Sequence, residues 1–522
     1  MSDAPLTANE QTQTRPGTYS VSRTLRCIRL GVQLLAFILF LYLLLGTRQE
    51  TRTFLPQDLF FLADPLAGLG AMLTSRSWIM PMIIGAAALL VITLIFGRAW
   101  CGWLCPLGTI IDWMPSRQVS RKNLDTPAFF WKQGKYLTLL IIIFGAALGS
   151  LTLIILDPIT LLFRSMAAVV FPLLNSLLLF VDERLYSIEL IQSGVTWFDT
   201  SVRIHFLGEP GFYLPNLTVL LLFVGVLALN LFKKRAWCRY LCPLGGLLGL
   251  VSKVSLVRHQ IDAGKCTACD RCAVTCPTGA IDPGRNYAAD SVECTTCLDC
   301  IGNCPTHAIS FPIKAGFNKE YQPEKRQFLM SLGLAAVGAF VLRFAPSSSR
   351  NVPKLIRPPG ATEESLANKC VRCGECVKVC PTAAIQPTIS AAAWDTIWSP
   401  HLELRRGYCD YSCNACGQVC PTGAIAKMSL EEKRKKVIGV AVIDKERCIP
   451  FAEKKACIVC EEMCPLPQKA IKLKTGEGPV AQPHVDEEMC NGCGICEHQC
   501  PLNGDSAIRI FRSLTVVSSS PA

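Results

Sequence analysis

Charge is scarce in this 522-residue chain: 18% of residues are Asp, Glu, Lys or Arg, against 50% hydrophobic ones. Histidine is scarcer. His205, His259, His307, His401, His484 and His498 are all there are, and each falls outside the strong apolar runs. That argues against a pair of haem ligands buried in a bilayer. Cys-x-x-Cys-His is absent, so no covalent haem attachment is signalled. There is no Gly-rich phosphate loop and no nucleophile–base pair, the marks of nucleotide chemistry and of hydrolysis. A short cleavable leader is missing too, because the first apolar run is long and begins near residue 27.

What the chain does hold is apolar length and cysteine. The formal net charge of +12 could suit nucleic acid, but the basic residues gather beside apolar runs, as in cytoplasmic membrane loops. Nucleic acid is therefore not an expected partner; membrane lipid is. The spans predicted are 27–46, 78–97, 136–156 and 214–232, since about twenty residues at 1.5 Å rise cover the roughly 30 Å hydrocarbon layer. Residues 159–181 are apolar but contain Arg164 and Pro172. Charge decides between a broken span and a re-entrant segment. Residues 182–213 hold Arg184 and Arg203 against five acidic residues, whereas 98–135 hold Arg98, Arg117, Arg121, Lys122, Lys132 and Lys135. Lys233-Lys234-Arg235 follows the next span. A re-entrant 159–181 lets all these loops obey the positive-inside rule.

The membrane half repeats itself. Each copy reads as an outgoing helix, an Asp-Pro (Asp64-Pro65, Asp157-Pro158), an apolar return and RAWCxxLCPLG (98–108, 235–245). Repeats in membrane proteins often build a site where the halves meet. Asp64 and Asp157 suit either proton release or, more simply, the ending and starting of helices.

There are 29 cysteines, and 24 of them form six groups of four, each closing in Cys-Pro. Disulfide scaffolds have no reason to repeat that; metal ligands in a reducing compartment do. Cys266, Cys269, Cys272, Cys276 and Cys294, Cys297, Cys300, Cys304 both have the spacing C-x2-C-x2-C-x3-C-P, the bacterial ferredoxin run in which the fourth cysteine ligates the other cluster. The expected 4Fe-4S ligand sets are Cys266, Cys269, Cys272 with Cys304, and Cys294, Cys297, Cys300 with Cys276. Zinc prefers two separated C-x2-C knuckles and fits poorly. Further on, Cys370, Cys373, Cys376, Cys380 and Cys490, Cys493, Cys496, Cys500 keep this spacing. Cys409, Cys413, Cys416, Cys420 is one residue wider, and Cys448, Cys457, Cys460, Cys464 has a long first gap. Six clusters in one chain read as a wire. The isoleucines at 281, 309, 385, 425, 471 and 508 are expected to cover them.

In RAWCxxLCP, a helical spacing places Cys101 and Cys105 on one face with Cβ atoms about 5–6 Å apart, too far for a disulfide. Cys238 and Cys242 repeat this. If the repeat is pseudo-symmetric, four thiols converge. They suit a seventh metal centre, redox thiols or structural cysteines. Cys27, with no partner group, reads as a bystander.

Residues 27 to about 310, with the paired RAWCxxLCPLG motifs and a two-cluster domain, resemble the NapH/MauN-type membrane ferredoxins. Residues 324 to about 512 resemble the NapG/MauM-type ferredoxins, which carry four clusters outside the cytoplasmic membrane. The chain looks like a fusion of the two. That resemblance implies a twin-arginine signal before the last span; here Lys325-Arg326-Gln327-Phe328-Leu329 has lysine for one arginine. It also implies electrons drawn from quinol and passed to an extracytoplasmic reductase or cytochrome. The related NosR-type proteins carry a flavin domain first, for which there is no room before residue 27.

The fold expected is a polytopic α-helical membrane protein with two small α+β bacterial-ferredoxin-like modules. Its parts are a disordered cytoplasmic tail (1–26), a membrane domain (27–257), a two-cluster domain (258–315), and a twin-arginine-like segment with its helix (324–345). A linker (346–364), a four-cluster domain (365–512) and a disordered tail (513–522) complete it. The expected place is a bacterial cytoplasmic membrane, with the first module cytoplasmic and the second periplasmic; the competing layout keeps both inside. The expected role is electron carriage, with quinol oxidation the one enzymatic activity in view. The alternatives are maturation or activation of a periplasmic metalloenzyme, and redox sensing. Neither haem nor flavin is expected.

Overall fold

The computed structural model describes residues 17–47, 54–116, 129–203, 216–313, 325–344, 355–388, 396–475 and 480–512. The chain is mostly helical and divides into two compact units. One comprises 1–44, 58–162 and 220–344; the other comprises 45–57, 163–219 and 345–522.

In the first unit, long helices bury one stripe and expose another. The Gly17–Gly46 helix turns Gln33, Ala36, Phe40 and Leu43 inward at helical spacing. Leu35 and Ile38 face out, 68% and 51% exposed. Met80–Phe96 buries Met82, Ala86, Leu89 and Thr93; Asn216–Phe232 buries Val219, Phe223, Val226 and Asn230. Their outer faces carry Ile84, Val91, Leu217 and Leu221, all exposed. An apolar row of this extent facing outward marks a surface for contact with a membrane or another protein. Both helices run 17 residues, the lower limit for crossing a bilayer. Among the described residues, Thr24–Gly46 and Pro158–Tyr186 are the two helices long and apolar enough to cross a membrane. Lys325–Phe344 packs along Phe129–Ala147, with Gly338 against Ile141.

Four expectations need correction. Residues 17–26, assigned to a disordered tail, belong to the first helix; residues 1–16 and 513–522 lie outside the described residues. The predicted span 136–156 ends as a helix at Ala147, because Gly149 takes a left-handed φ of +86°. A 3-10 turn, Thr152–Leu156, follows. Residues 159–181 do not double back: they lie within an apolar helix running Pro158–Tyr186, whose π-turn at Met166–Val170 absorbs the missing N–H of Pro172. Finally, the described end of the linker is folded: Arg357 is buried, bound to Glu363 and to the Pro400 carbonyl.

The first cysteine-rich module closes on a two-stranded antiparallel sheet, Gln260–Ile261 against Ile309–Ser310. Two one-turn helices, Arg271–Thr275 and Asp299–Asn303, pack together beneath it. The second module holds three such ribbons: Ile385–Pro387 with Pro400–Leu402, Val440–Ile443 with Ile508–Phe511, and Ile471–Lys474 with Gln482–Val485. Five of the six isoleucines (281, 309, 385, 471 and 508) are buried in the modules' two main cores beside the cysteines, and Ile425 in a smaller core with Cys370 and Cys420.

Candidate metal centres

The four loops of regular spacing share one backbone device. The residues just before and just after the second cysteine are left-handed: Ala268 and Asp270, Thr296 and Leu298, Arg372 and Gly374, Gly492 and Gly494. Alternating hands turn successive N–H groups toward one point, an anion-binding nest. Side chains other than glycine enter this region at roughly 1–2 kcal/mol each, a cost that a ligand in the nest would offset. The wider loops at Cys409 and Cys448 lack the device.

The thiols gather in crossed sets. Cys266, Cys269, Cys272 and Cys304 line one cavity. Cys276 neighbours Cys294, Cys297 and Cys300. In the second module Cys370, Cys373, Cys376 and Cys420 line another cavity, with Arg164 at its wall. Cys380 joins Cys409, Cys413 and Cys416. Cys500 neighbours Cys448 and Cys460, and Cys464 neighbours Cys493. The last four pairings could not be read from spacing. Cys276, Cys304 and Cys380 each follow a one-turn helix in an extended conformation and so leave their own loop for the next one.

Burial, with other thiols close by, pushes Cys272 and Cys294 up to about 12 and Cys493 to about 11. Unligated, these three are neutral; ligation displaces their protons. Sulfur also accepts backbone hydrogen bonds, from Ala280 to Cys276 (3.2 Å), Ala308 to Cys304 (3.3 Å) and Ile425 to Cys420 (3.4 Å). Among the described residues no three His, Cys, Asp or Glu side chains close tightly enough for a single metal ion. Thiolates that each hold a separate iron of a cubane stand farther apart than that.

The RAWCxxLCP segments differ from the helical expectation. Trp100–Leu104 is a π-turn, and Cys105 is extended, capping the Pro106–Trp113 helix. Cys238 sits in the Ala236–Tyr240 turn, and Cys242 caps Pro243–Ser252. The pairs therefore do not share a helix face. The four thiols nonetheless meet: Cys101 and Cys238 act on Cys105, and Cys101, Cys105 and Cys238 act on Cys242. All four are less than a tenth exposed. Cys105 accepts from Gly108 N–H at 3.4 Å and Cys242 from Gly245 N–H at 3.3 Å. Buried donors of the same motifs, Trp100 Nε1, Trp237 Nε1 and two nitrogens of Arg98, have no acceptor among the described residues. Four thiols in motifs that also carry unanswered donors fit an anionic inorganic group.

The first module is docked on this site by residues that cysteine spacing does not announce. Arg98 donates to the Val292 carbonyl (2.8 Å) and pairs with Glu293, which also binds Lys135. Trp103 donates to the Thr296 carbonyl, and Thr296 to that of Phe96. Arg29 reaches Asp299 (2.7 Å) and the Cys297 carbonyl. Gly102 meets Thr295 so closely that a Cβ would lie 2.5 Å from its carbonyl oxygen. Arg235 grips Asp112 with two nitrogens and the Cys101 carbonyl with a third, all within 2.6–2.8 Å. The signal was available: arginine and tryptophan repeat in RAWC as faithfully as cysteine. Cys27 is exposed and joins none of this. The side chains of residues 325–329 lie outside the described ones.

Comparison with known proteins finds iron–sulfur families along the chain. The 4Fe-4S binding domain family matches at 78–127 and 215–261, across both RAWC motifs. The 4Fe-4S dicluster domain family matches at 369–424, and a further 4Fe-4S binding domain family at 259–282 and 483–503. The methylamine utilization ferredoxin-type protein MauM of Methylobacillus flagellatus is 34% identical over 36% of this chain and 84% of its own length. The ferredoxin-type protein NapG of Escherichia coli is 34% identical over 36% of this chain and 86% of its own length. YccM of Escherichia coli is 29% identical over 38% of this chain and 48% of its own length. No solved structure matches.

Proposed function

The C-terminal region belongs to the NapG/MauM family of ferredoxin-type proteins, and from that premise we propose a membrane-anchored conduit drawing electrons from quinol for an extracytoplasmic reductase system. The chain is an iron–sulfur electron-transfer protein that binds several 4Fe-4S clusters. When bound, such clusters accept and release single electrons at potentials set by burial and by hydrogen bonds to sulfur. In this reading the six crossed cysteine sets hold six clusters, and Cys101, Cys105, Cys238 and Cys242 hold a seventh centre.

The observation that carries the proposal is the seat of the first module on the RAWC segments. The loop 292–299, which contains Cys294 and Cys297, lies directly against the buried four-thiol site. Arg98, Glu293, Lys135 and Gly102 keep water out and the spacing fixed. Such a junction makes sense if electrons pass between membrane half and module. The apolar outer faces of the helices support a bilayer as surroundings. The basic residues beside both RAWC segments, Arg98 to Lys135 and Lys233 to Arg235, support a cytoplasmic first module, and the family and the segment before residue 330 support a periplasmic second one.

The test is reduction by quinol. Anaerobically purified protein in liposomes should lose its cluster absorbance on addition of a reduced short-chain quinol. Full reduction by dithionite with none by quinol would reject quinol as the source and leave the relay standing.

A further inference from the structure

The two Asp-Pro turns of the internal repeat are built alike and face each other. Asp64 Oδ1 accepts from Leu66 N–H at 2.9 Å and Ala67 N–H at 3.3 Å, capping Pro65–Ser75. Asp157 Oδ2 accepts from Ile159 at 2.9 Å and Thr160 at 3.0 Å, capping Pro158–Ser165. Each cap uses one carboxylate oxygen. The other two, Asp64 Oδ2 and Asp157 Oδ1, are buried and receive no donor from the described residues. Both residues are fully buried, and their side chains stand within hydrogen-bonding reach of each other. Two facing carboxylates without a donor between them repel in a poorly polarisable surrounding; one proton between them turns the repulsion into a hydrogen bond.

We propose that Asp64 and Asp157 form a proton-binding site that holds one shared proton at neutral pH. Among the described residues, no cation on the packed elements does this work instead. The Met80–Phe96, Pro243–Ser252 and Thr152–Leu156 segments contain no titratable side chain. On Phe129–Ala147, Lys132, Lys135 and Tyr136 stand near the helix start, Lys135 about 18 Å along the axis from Ala147, and Lys135 is bound to Glu293. Arg76 lies past the far end of the Pro65–Ser75 helix, Asp58 precedes Leu59–Leu62, and Arg164 is stacked on Trp398. Burial supports the assignment by raising Asp64 to about 6; burial and the facing Asp64 raise Asp157 well above the carboxylate range. The site goes beyond the relay, since electrons passing between thiolate-held centres carry no proton, and it does not depend on quinol being the source.

Infrared spectroscopy tests it. The wild-type protein in detergent at pH 7 should show the carbonyl stretch of a neutral carboxyl, moved to lower frequency in deuterium oxide and missing from D64N/D157N. Asparagine caps helices as well as aspartate does, so the fold survives. Each single variant, D64N or D157N, should also lose the band, because the amide N–H takes the proton's place against the remaining carboxylate. If wild type and double variant show no difference in this region, the site does not exist. If either single variant keeps the band, the proton is not shared.

Discussion

Replacing Asp112 by alanine strands a buried cation. Arg235 is 1% exposed, and among the described residues the one carboxylate that meets its charge is Asp112, through Nε at 2.8 Å and Nη2 at 2.6 Å. Breaking a buried pair by removing one partner costs about 3–5 kcal/mol, because the other charge stays out of water without compensation. At about 2–4 °C per kcal/mol for a domain of a few hundred residues, the thermal midpoint should fall by roughly 6–20 °C. Tryptophan fluorescence of the detergent-solubilised protein reads this. A companion variant, D112A/R235M, removes both charges while keeping apolar volume, and should regain most of the lost stability. It should not regain the four-thiol site, because Arg235 also holds the Cys101 carbonyl at 2.8 Å. A D112A protein that melts within about 1 °C of wild type would refute the reasoning, and so would a double variant less stable than the single one.

Gly102→Ala would push a methyl against the Thr295 carbonyl, costing about 1–3 kcal/mol by overpacking; protease should then cut the first module faster. In C101S/C238S, iron per chain should fall by about four while the other centres keep their spectra; unchanged iron would remove a cluster from the RAWC site. His259 is largely buried, which holds its imidazole down at about 4, below the ordinary 6.5. The unfolded chain therefore binds the extra proton first, and stability should decline as pH falls from about 6.5 to 4. H259F should flatten that decline in acid-denaturation profiles. Asp112, held down at about 2 by Arg235 despite its burial, adds stability above the usual 3.8 that fades toward pH 2. D112A should remove that limb of the profile.

Spacing alone foretold how the first module's thiols would assemble, because a tight C-x2-C-x2-C loop leaves its fourth cysteine pointing away, and the structure gathers Cys304 with Cys266 accordingly. Pairing among the second module's four loops was not legible, because two of them carry insertions, yet Cys380 and Cys420 cross in the same way. The RAWC motif misled at short range. Four residues suggest a shared helix face, but Pro106 and Pro243 start new helices and force Cys105 and Cys242 into extended caps. It informed at long range, since a repeated motif brought four thiols together. Helix ends were missed where a single residue decided them: Gly149 stopped one helix early, and the π-turn before Pro172 kept another going. The clamps at Asp112, Glu293 and Arg29 were illegible, since each pairs with a residue about 120 to 270 positions away and no local pattern marks them. Asp64 and Asp157 were legible as caps, but their meeting was not.

Counting iron and acid-labile sulfide per chain, on protein purified without oxygen and followed through a redox titration by electron paramagnetic resonance, puts the whole scheme at risk. About 24 irons with matching sulfide are expected from the six crossed sets, and about 28 with a cubane at Cys101, Cys105, Cys238 and Cys242. Colourless protein without sulfide, or zinc bound in those thiol sets, would contradict it.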